Sequence, residues 1–433
     1  MQATTTLSIP MNKIRDTADD WRNRLCGLSA VADCITAGSL RRWCDAIEKI
    51  DLAVSAHAFK NVLDFAAAQP DVETILAQEE KRILLRLNNG IPLQLWLDHP
   101  SNFGGLTLAA TGSAGHFARL QALAHAKGYS LTDNGVLTHA GVGIACQTEE
   151  QVYREIGLPF ITPELREDRG EIEDAQQGNL PELITRDDLH ADLHMHTNWS
   201  DGDNSIREMA LTAIDAGHQV IAICDHSPLV CGRIYGKSIN AGNYRQQKEE
   251  IQKIQGELGD KIRIVRDIEV DIRPDGTLDL EDEILRQFEL VIASLHTAHD
   301  QPRETITGRL IKAIRHPYVK IIAHPSGRDL PGKGAEADWE QVFKAAVENG
   351  KVLEINSNPH HLDLNDRLAR QAAEMGAKFS IDTDAHRASA LVNLKYGVGI
   401  ARKARLHKDA IITCLKREDL LGFLNIEIGR AHV

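Results

Sequence analysis

The chain is poor in several things that would place it quickly. It has no uncharged apolar run of roughly 18 residues or more, so a membrane-spanning helix is not expected. Its opening stretch, MQATTTLSIPMNKIRD, lacks a charged segment followed by an apolar one, so secretion is not expected either. The cysteines number seven, an odd count without a CxxC pair, which argues for a reducing cytoplasm over a disulfide framework. There is no Lys/Arg-rich block, and the net charge of −13 disfavours tight duplex binding by the bare protein. Bound divalent cations would reverse that sign locally, so a phosphoester substrate is not excluded. No Ser–His–Asp or Cys–His arrangement and no Walker-type phosphate loop competes for the chemistry. What remains is an ordinary globular composition, 42% hydrophobic and 26% charged, in 433 residues, enough for two or three domains.

What the chain does have is histidine, 19 in all, concentrated where it matters. Seven short apolar runs follow Leu189: LHADLHMHTNWSDG, VIAICDHS, IRIVRDIEVDI, LVIASLHT, KIIAHPS, VLEINSNP and KFSIDTDAH. Six of them carry candidate metal ligands at or just past the strand end: His194, His196, Asp201, His226, Glu269, His296, His324, Asp384 and His386. A reaction centre built from several strand ends is how a β/α barrel assembles its site. Residues i and i+2 of a strand face the same way, so His194 and His196 can grip one ion, and Asp384 and His386 repeat the spacing. Nitrogen and carboxylate ligands without cysteine suit Zn²⁺, Mn²⁺ or Fe²⁺. Nine ligands exceed the needs of one ion, so two or three metals are expected, with Glu269, the carboxylate in the middle of the set, as the bridge. Closely spaced metals stabilise the attacking and leaving oxygens of a displacement at phosphorus and activate water near neutral pH. Metal-assisted phosphoester hydrolysis is the chemistry expected.

Along the front half, residues 13–35 read as one or two helices, GSLRR at 38–42 as a turn, and IDLAV at 50–54 as a strand. Residues 81–97 give a hairpin signal around NNG. A helix over 116–128, small strands around YSLTDNGVLT, and a helix over 149–155 with an N-cap Thr and an acidic first turn follow. The polar, acidic stretch from Pro163 to Asp188 reads as a connection. Beyond it, helical segments SIREMALTAIDAGH, AGNYRQQKEEIQKIQGELG, ADWEQVFKAAVENG and NDRLARQAAEMG alternate with Val/Ile-rich strands. That rhythm predicts a parallel α/β fold with seven core strands, an incomplete or distorted barrel.

The motifs DLHMHTNWSDG, DHS, IEVDI, ASLH, AHPSGR, EINSNP and DTDAH resemble, in order and spacing, those of the polymerase and histidinol phosphatase (PHP) superfamily, over residues 190–433. The resemblance implies a distorted (β/α)7 barrel with three metals at its C-terminal mouth. Carried over, His194, His196, Glu269 and Asp384 would hold the first metal and carry catalysis. Glu269, His296 and His324 would hold the second, and Asp201, His226 and His386 the third, with Mn²⁺ the most active ion. Further forward, GSLRR, the hairpin, ATGSAGHFARLQALAHAKG and TEEQVYREIGLPFITPELREDRGEIEDA resemble a bacterial family X DNA polymerase, from about residue 20 onward.

The implied organisation is a fingers/palm-like nucleotidyltransferase remnant over 1–100, a thumb-like region and linker over 101–188, and the PHP domain over 189–433. A polymerase palm needs three carboxylates for its two Mg²⁺ ions. The family's Asp-x-Asp pair falls here on Lys49 and Asp51, and its third carboxylate on Gln94. An ammonium at a metal position repels the ion, so polymerase activity is expected to be lost. The chain is also expected to begin too late for the family's helix-hairpin-helix DNA-binding region.

The leading expectation is a metal-dependent phosphoesterase acting on DNA 3′ ends, as 3′–5′ exonuclease or 3′-phosphatase. Arg233, Lys237, Arg328 and Arg387, near motif loops, are candidate phosphate contacts. A small-molecule phosphatase of histidinol-phosphatase type is a second reading, favoured by the acidic balance. A non-catalytic DNA-end binding module is a third.

Overall fold

The computed structural model describes residues 11–427 apart from 139 and 331, and the chain divides into two compact units, 1–181 and 182–433. Residues 1–10, in the stretch read above for a leader, lie outside the described residues. Among the described residues no helix is long and apolar enough to cross a membrane.

The front unit opens on a helix, Met11–Cys26, that buries Met11, Ile14, Ala18, Trp21 and Leu25 at alternating three- and four-residue steps. The helical expectation for 13–35 holds only to Cys26. Residues Val31–Ala37 are instead strand β1, paired antiparallel with β2 (Ile50–Ala56), Cys34 opposite Val54. The physical reason is the β-branched set Val31, Ile35 and Thr36, which suits a pleated surface next to the fully buried β2.

Strands β3 (Val72–Glu79), β4 (Arg82–Leu87) and β5 (Pro92–Asp98) complete a sheet in the order β1-β2-β5-β4-β3. The β4–β5 hairpin is the one expected, and Gly90 supplies the positive φ of its turn (+82°). The mostly exposed edge strand β3 was not anticipated. A helix at Ala114–Ala126 and the small strands β6 (Tyr129–Thr132), β7 (Gly135–Thr138) and β8 (Gly143–Ile144) follow. The helix Glu149–Glu155 is opened by Thr148, which forms a capping box with Gln151.

The acidic stretch from Pro163 is no loose connection up to Gln177, whereas residues 178–185, across the boundary at 181/182, carry no regular structure and do connect the units. The first part contains a helix, Glu171–Gln177, and Arg166 and Glu171 are wholly buried in the front unit. Glu149 explains how so many charges go inside: it accepts from Arg166 at 2.5 Å and from Arg41 at 2.7 Å. Buried charges persist only when paired in this way.

In the second unit all strand pairs are parallel. Strands β9 (Ala191–Met195), β10 (Val220–Ile223) and β11 (Arg263–Arg266) form one sheet in the order β11-β10-β9. Strands β12 (Glu269–Asp271), β13 (Ile292–Ser294), β14 (Ile321–Ile322), β15 (Val352–Asn356) and β16 (Lys378–Asp382) form the other, in chain order. Bridges Met195–Ala385 and His226–Glu269 join the two sheets into a ring. Because β11 and β12 are segments of one interrupted strand, the ring has seven positions: a distorted (β/α)7 barrel, as expected. The helices Ile206–Asp215, Tyr244–Leu258, Trp339–Glu348 and Asp366–Glu374 match the four expected segments, and Arg303–Ile314 and Leu394–Lys403 add to them. Ile306, Leu310, Val342 and Phe343 join β-strand residues Ala293, Ile322 and Leu353 in one core.

Candidate metal centre

Every sequence-predicted ligand lies at the C-terminal mouth of this ring. His194 sits within β9 and His196 just after it, Asp201 in the loop beyond, and His226 after β10. Glu269 opens β12, while His296, His324, Asp384 and His386 follow the ends of β13, β14 and β16. Two of these residues hold left-handed backbone, His324 at φ +25° and Asp384 at +51°, a costly conformation for residues with a Cβ. It turns each side chain inward past its strand end. Gly202 makes the other tight approach: a Cβ there would lie 2.7 Å from the backbone of His196 and Thr197.

Glu269 occupies the middle. Its Oε1 lies 2.9 Å from His324 Nε2 and 3.3 Å from His296 Nε2. Its Oε2 lies 2.9 Å from His226 Nδ1 and 3.4 Å from His194 Nε2. The Nε2 atoms of His194 and His196 are 3.1 Å apart, and His196 Nε2 is 3.1 Å from Asp384 Oδ1. On the outer side, Asp201 lies 3.6 Å from His226 and 3.4 Å from His386.

Ligand atoms converge in four overlapping groups, each within 4.8 Å: His196/Asp201/His226/His386, His194/Glu269/His324, His194/His196/Asp384 and His226/Glu269/His296. None includes a cysteine. His196 thus faces two groups, and Asp384 and His386 fall into different ones although only one residue separates them.

This donor set fits divalent cations. Asp201 Oδ1 and His196 Nδ1 are buried without a hydrogen-bond partner. Glu269 Oε2, 2.9 Å from His226 Nδ1, has a charge contact there but no well-directed hydrogen bond. Burial in this state is costly unless something else satisfies the three atoms. Burial opposes ionisation of Glu269, yet His226, His296 and His194 around it hold its carboxyl well below the usual range. Asp384 follows the same pattern, burial being outweighed by His194, His196 and His386. Burial, then the neighbouring His386 and His226, push His196 down to about 3, so its lone pair is available at neutral pH. Burial would lower the other rings, yet the carboxylates around them outweigh it and raise His194, His226, His296, His324 and, to about 9, His386. An incoming cation must therefore displace protons from those rings to use them as ligands.

Residues that the sequence reading passed over orient this set. Glu354 on β15, the one strand without a predicted ligand, accepts from His194 Nδ1 at 2.7 Å and from the His324 backbone N–H at 2.6 Å. Asp271 lies 2.8 Å from His296 Nδ1, and the backbone carbonyl of Asp384 lies 3.0 Å from His386 Nδ1. With Nδ1 bound outward, each ring turns Nε2 to the cluster. The available signal was spacing: Glu354/Asn356 and Glu269/Asp271 repeat the i, i+2 pattern of His194/His196. His361 also reaches the site, its Nε2 3.9 Å from Asp384 Oδ2.

The four basic candidates part ways. Arg328 is buried, donating through Nε to the His361 carbonyl at 2.8 Å and through its guanidinium to that of Leu362. Arg233, Lys237 and Arg387 are exposed, and the first two line a cleft of about 730 Å³ beside Asn198 and Trp199. The metal-ligand pocket itself measures about 260 Å³.

In the front unit, the three positions expected from the resemblance to be palm sites lie together. Asp51 on β2 pairs with Gln94 on β5, and Lys49 makes an ion pair with Asp51, whose Oδ1 also accepts from Trp96 Nε1 at 2.9 Å. Gln94 donates to the carbonyls of Ile83 and Leu95 at 3.1 and 3.2 Å.

Comparison with known proteins agrees with this architecture. The DNA polymerase beta thumb model matches residues 106–167 and the PHP domain model residues 192–358. With the barrel and its ring of strand-end histidines, the second match defines a metal-dependent phosphoric ester hydrolase of the PHP type. A Bacillus subtilis (strain 168) protein named DNA polymerase/3′-5′ exonuclease PolX is 33% identical over 392 residues, covering 90% of this chain and 68% of that one. The chain belongs to this PolX family. A “Probable phosphatase” of Thermoanaerobacter sp. (strain X514) is 33% identical over 254 residues, 56% of this chain and 92% of the relative. The solved structure of hisK from Listeria monocytogenes aligns at a TM-score of 0.39 with 15% identity, over 46% of this chain and 97% of that one.

Proposed function

We propose that this protein hydrolyses phosphoesters at DNA 3′ ends, as a 3′–5′ exonuclease, a 3′-phosphatase or both, through a trinuclear metal centre, and that it no longer polymerises. The observation that carries the reading is the convergence of nine strand-end ligands in four overlapping groups, two of which share the buried carboxylate Glu269. His194, His196, Glu269 and Asp384 would hold one ion, Glu269, His296 and His324 a second, and Asp201, His226 and His386 a third. Mn²⁺ is the favoured ion, with Zn²⁺ or Fe²⁺ compatible with the same donors. Such ions supply Lewis acidity toward a phosphoryl oxygen and an activated water. The protein's own part is preorganisation: Glu354 and Asp271 fix the tautomers of His194 and His296, and burial keeps bulk water from the donors.

The choice of DNA rests on the front unit. Its thumb-model match and the PolX relative both associate this hydrolase with a polymerase-like body. The loss of synthesis is supported by the Lys49 ammonium on Asp51 and the amide of Gln94 where carboxylates would be needed. A second reading, a small phosphomonoesterase, is favoured by the modest 260 Å³ of the pocket and the acidic net charge.

One panel separates the readings. The Mn²⁺-loaded protein is offered a 5′-labelled primer, a 3′-phosphorylated oligonucleotide and small phosphomonoesters including histidinol phosphate. Laddering or dephosphorylation of the oligonucleotides, abolished by His194→Ala, is expected. Turnover of the small esters alone would replace the proposal with the second reading. Silence on all of them with metal bound would leave a DNA-end binding module.

A further inference from the structure

Beside the metal pocket runs a short ridge, Pro228–Ser238, whose two faces differ in chemistry. Ile234 and Tyr235 line the metal-ligand pocket together with His226, His296 and His386, yet are 66% and 59% exposed. Arg233 and Lys237 line the larger cleft on the other face. Among the described residues, no salt bridge or side-chain hydrogen bond engages either cation, and no ring stacks on Tyr235. The cleft's one carboxylate, Glu250, is engaged by Trp199 Nε1 at 2.8 Å. Two large apolar side chains side by side at a catalytic mouth, flanked by unpaired cations on a chain of net charge −13, call for a ligand that is planar at one end and anionic along its length.

We infer that Tyr235, backed by Ile234, is the platform on which the 3′-terminal base of a single-stranded nucleic acid stacks, while Arg233 and Lys237 steer the phosphates upstream of it. The inference rests on the function proposed above and narrows its substrate to an unpaired end. A small phosphomonoester would fill the 260 Å³ pocket and leave Arg233, Lys237 and the 730 Å³ cleft without a role. Stacking suits the task because every base has a π-face, so a trimming enzyme can accept each new end in turn. Tyr235 is a specificity-determining residue in this account; the metal ligands remain responsible for the chemistry.

The test separates binding from hydrolysis. Binding of a 5′-fluorescein-labelled single strand of about a dozen nucleotides, its 3′-terminal linkages made phosphorothioate to block hydrolysis, to the Mn²⁺-loaded full chain is followed by anisotropy. Tyr235→Ala should weaken it about tenfold and Tyr235→Phe should restore it, since only the ring is needed. An abasic 3′-terminal nucleotide should cost the wild type the same factor and cost Tyr235→Ala nothing more. Arg233→Gln and Lys237→Gln should each lower the salt slope of binding by about one.

Equal affinity of Tyr235→Ala and wild type, an equal loss on the abasic strand, or no binding by the wild type would overturn the platform. Hydrolysis by the Mn²⁺-loaded wild type is scored apart. Laddering without a Tyr235 effect removes the platform and keeps the function. A Tyr235-dependent affinity without laddering does the reverse.

Discussion

Glu354 accepts a hydrogen bond from His194 Nδ1 at 2.7 Å, and both side chains are buried. The same carboxylate accepts the His324 backbone N–H through its other oxygen, so one residue on β15 sets two ligands from β9 and β14. Outer partners of metal histidines are worth about 10–100-fold in metal affinity. Glu354→Ala should therefore weaken Mn²⁺ binding by about that factor, as read by calorimetric titration of chelator-treated protein. An unchanged affinity would show that His194 orients itself.

Metal should also stabilise the barrel. The poorly satisfied buried atoms of Glu269, Asp201 and His196 remain a cost until a cation meets them. Ligand present at a hundredfold over its Kd adds about 2.7 kcal/mol. Differential scanning calorimetry should show the Tm of the barrel unit rising with Mn²⁺ and falling with chelator. A Tm indifferent to both would contradict the site.

In the front unit, stability should fall on the acid side. His116 bridges Glu171 through Nδ1 at 2.6 Å and Tyr153 Oη through Nε2 at 2.8 Å. Burial first, then the nearby Arg166, holds the His116 pKa below its usual value, so protonating it opposes folding: its contribution is full above about 6.5 and declines below that. Burial would raise Glu171, but His116 and the Arg169 N–H hold it at about 2. Its contribution is present above about 4.5 and is lost as pH falls toward 2. Both terms have one sign, so urea midpoints of the front unit should drop steadily below about pH 6.5, and Glu171→Gln should flatten the part below 4.5. A midpoint flat across that window would refute the assignment.

Primer extension should be absent. Asp51 is the lone carboxylate among the three aligned palm positions, and Lys49 is paired with it. Purified protein given primer-template, all four deoxynucleotides and Mg²⁺ or Mn²⁺ should leave the primer unextended. Extension that disappears in Asp51→Ala would show that the palm still works.

Much of the site was legible because each ligand ends an apolar run, and a histidine or carboxylate there has few roles that a hydrophobic interior tolerates. Glu354 was marked only by its i, i+2 spacing to Asn356, which does not reveal its partner, since a carboxylate inside VLEINSNP looks the same whether it meets a histidine or solvent. Composition also misled over Pro163–Gln177, the first part of the expected connection. Acidic residues there suggested a solvated linker, whereas Glu171 is buried beside His116 and Arg166 is neutralised by Glu149. Over 31–37 the helical expectation yielded to β2, whose buried edge supplied a ladder partner that no local pattern reveals.

By itself, then, the sequence determined which side chains could bind metal and that seven β/α repeats would carry them; its resemblance to family X polymerases supplied the expectation that Lys49 and Gln94 stand where carboxylates would be needed. Only the tertiary structure decided who meets whom. Closure of the ring at Met195–Ala385 and His226–Glu269 brings strand ends far apart in the chain to within a few ångströms. That closure puts Glu269 at the centre, turns His196 toward two groups, and sends Asp384 and His386 to different ones. Backbone pairing sets those distances, and pairing between remote strands is a property of the packed barrel, not of any one segment.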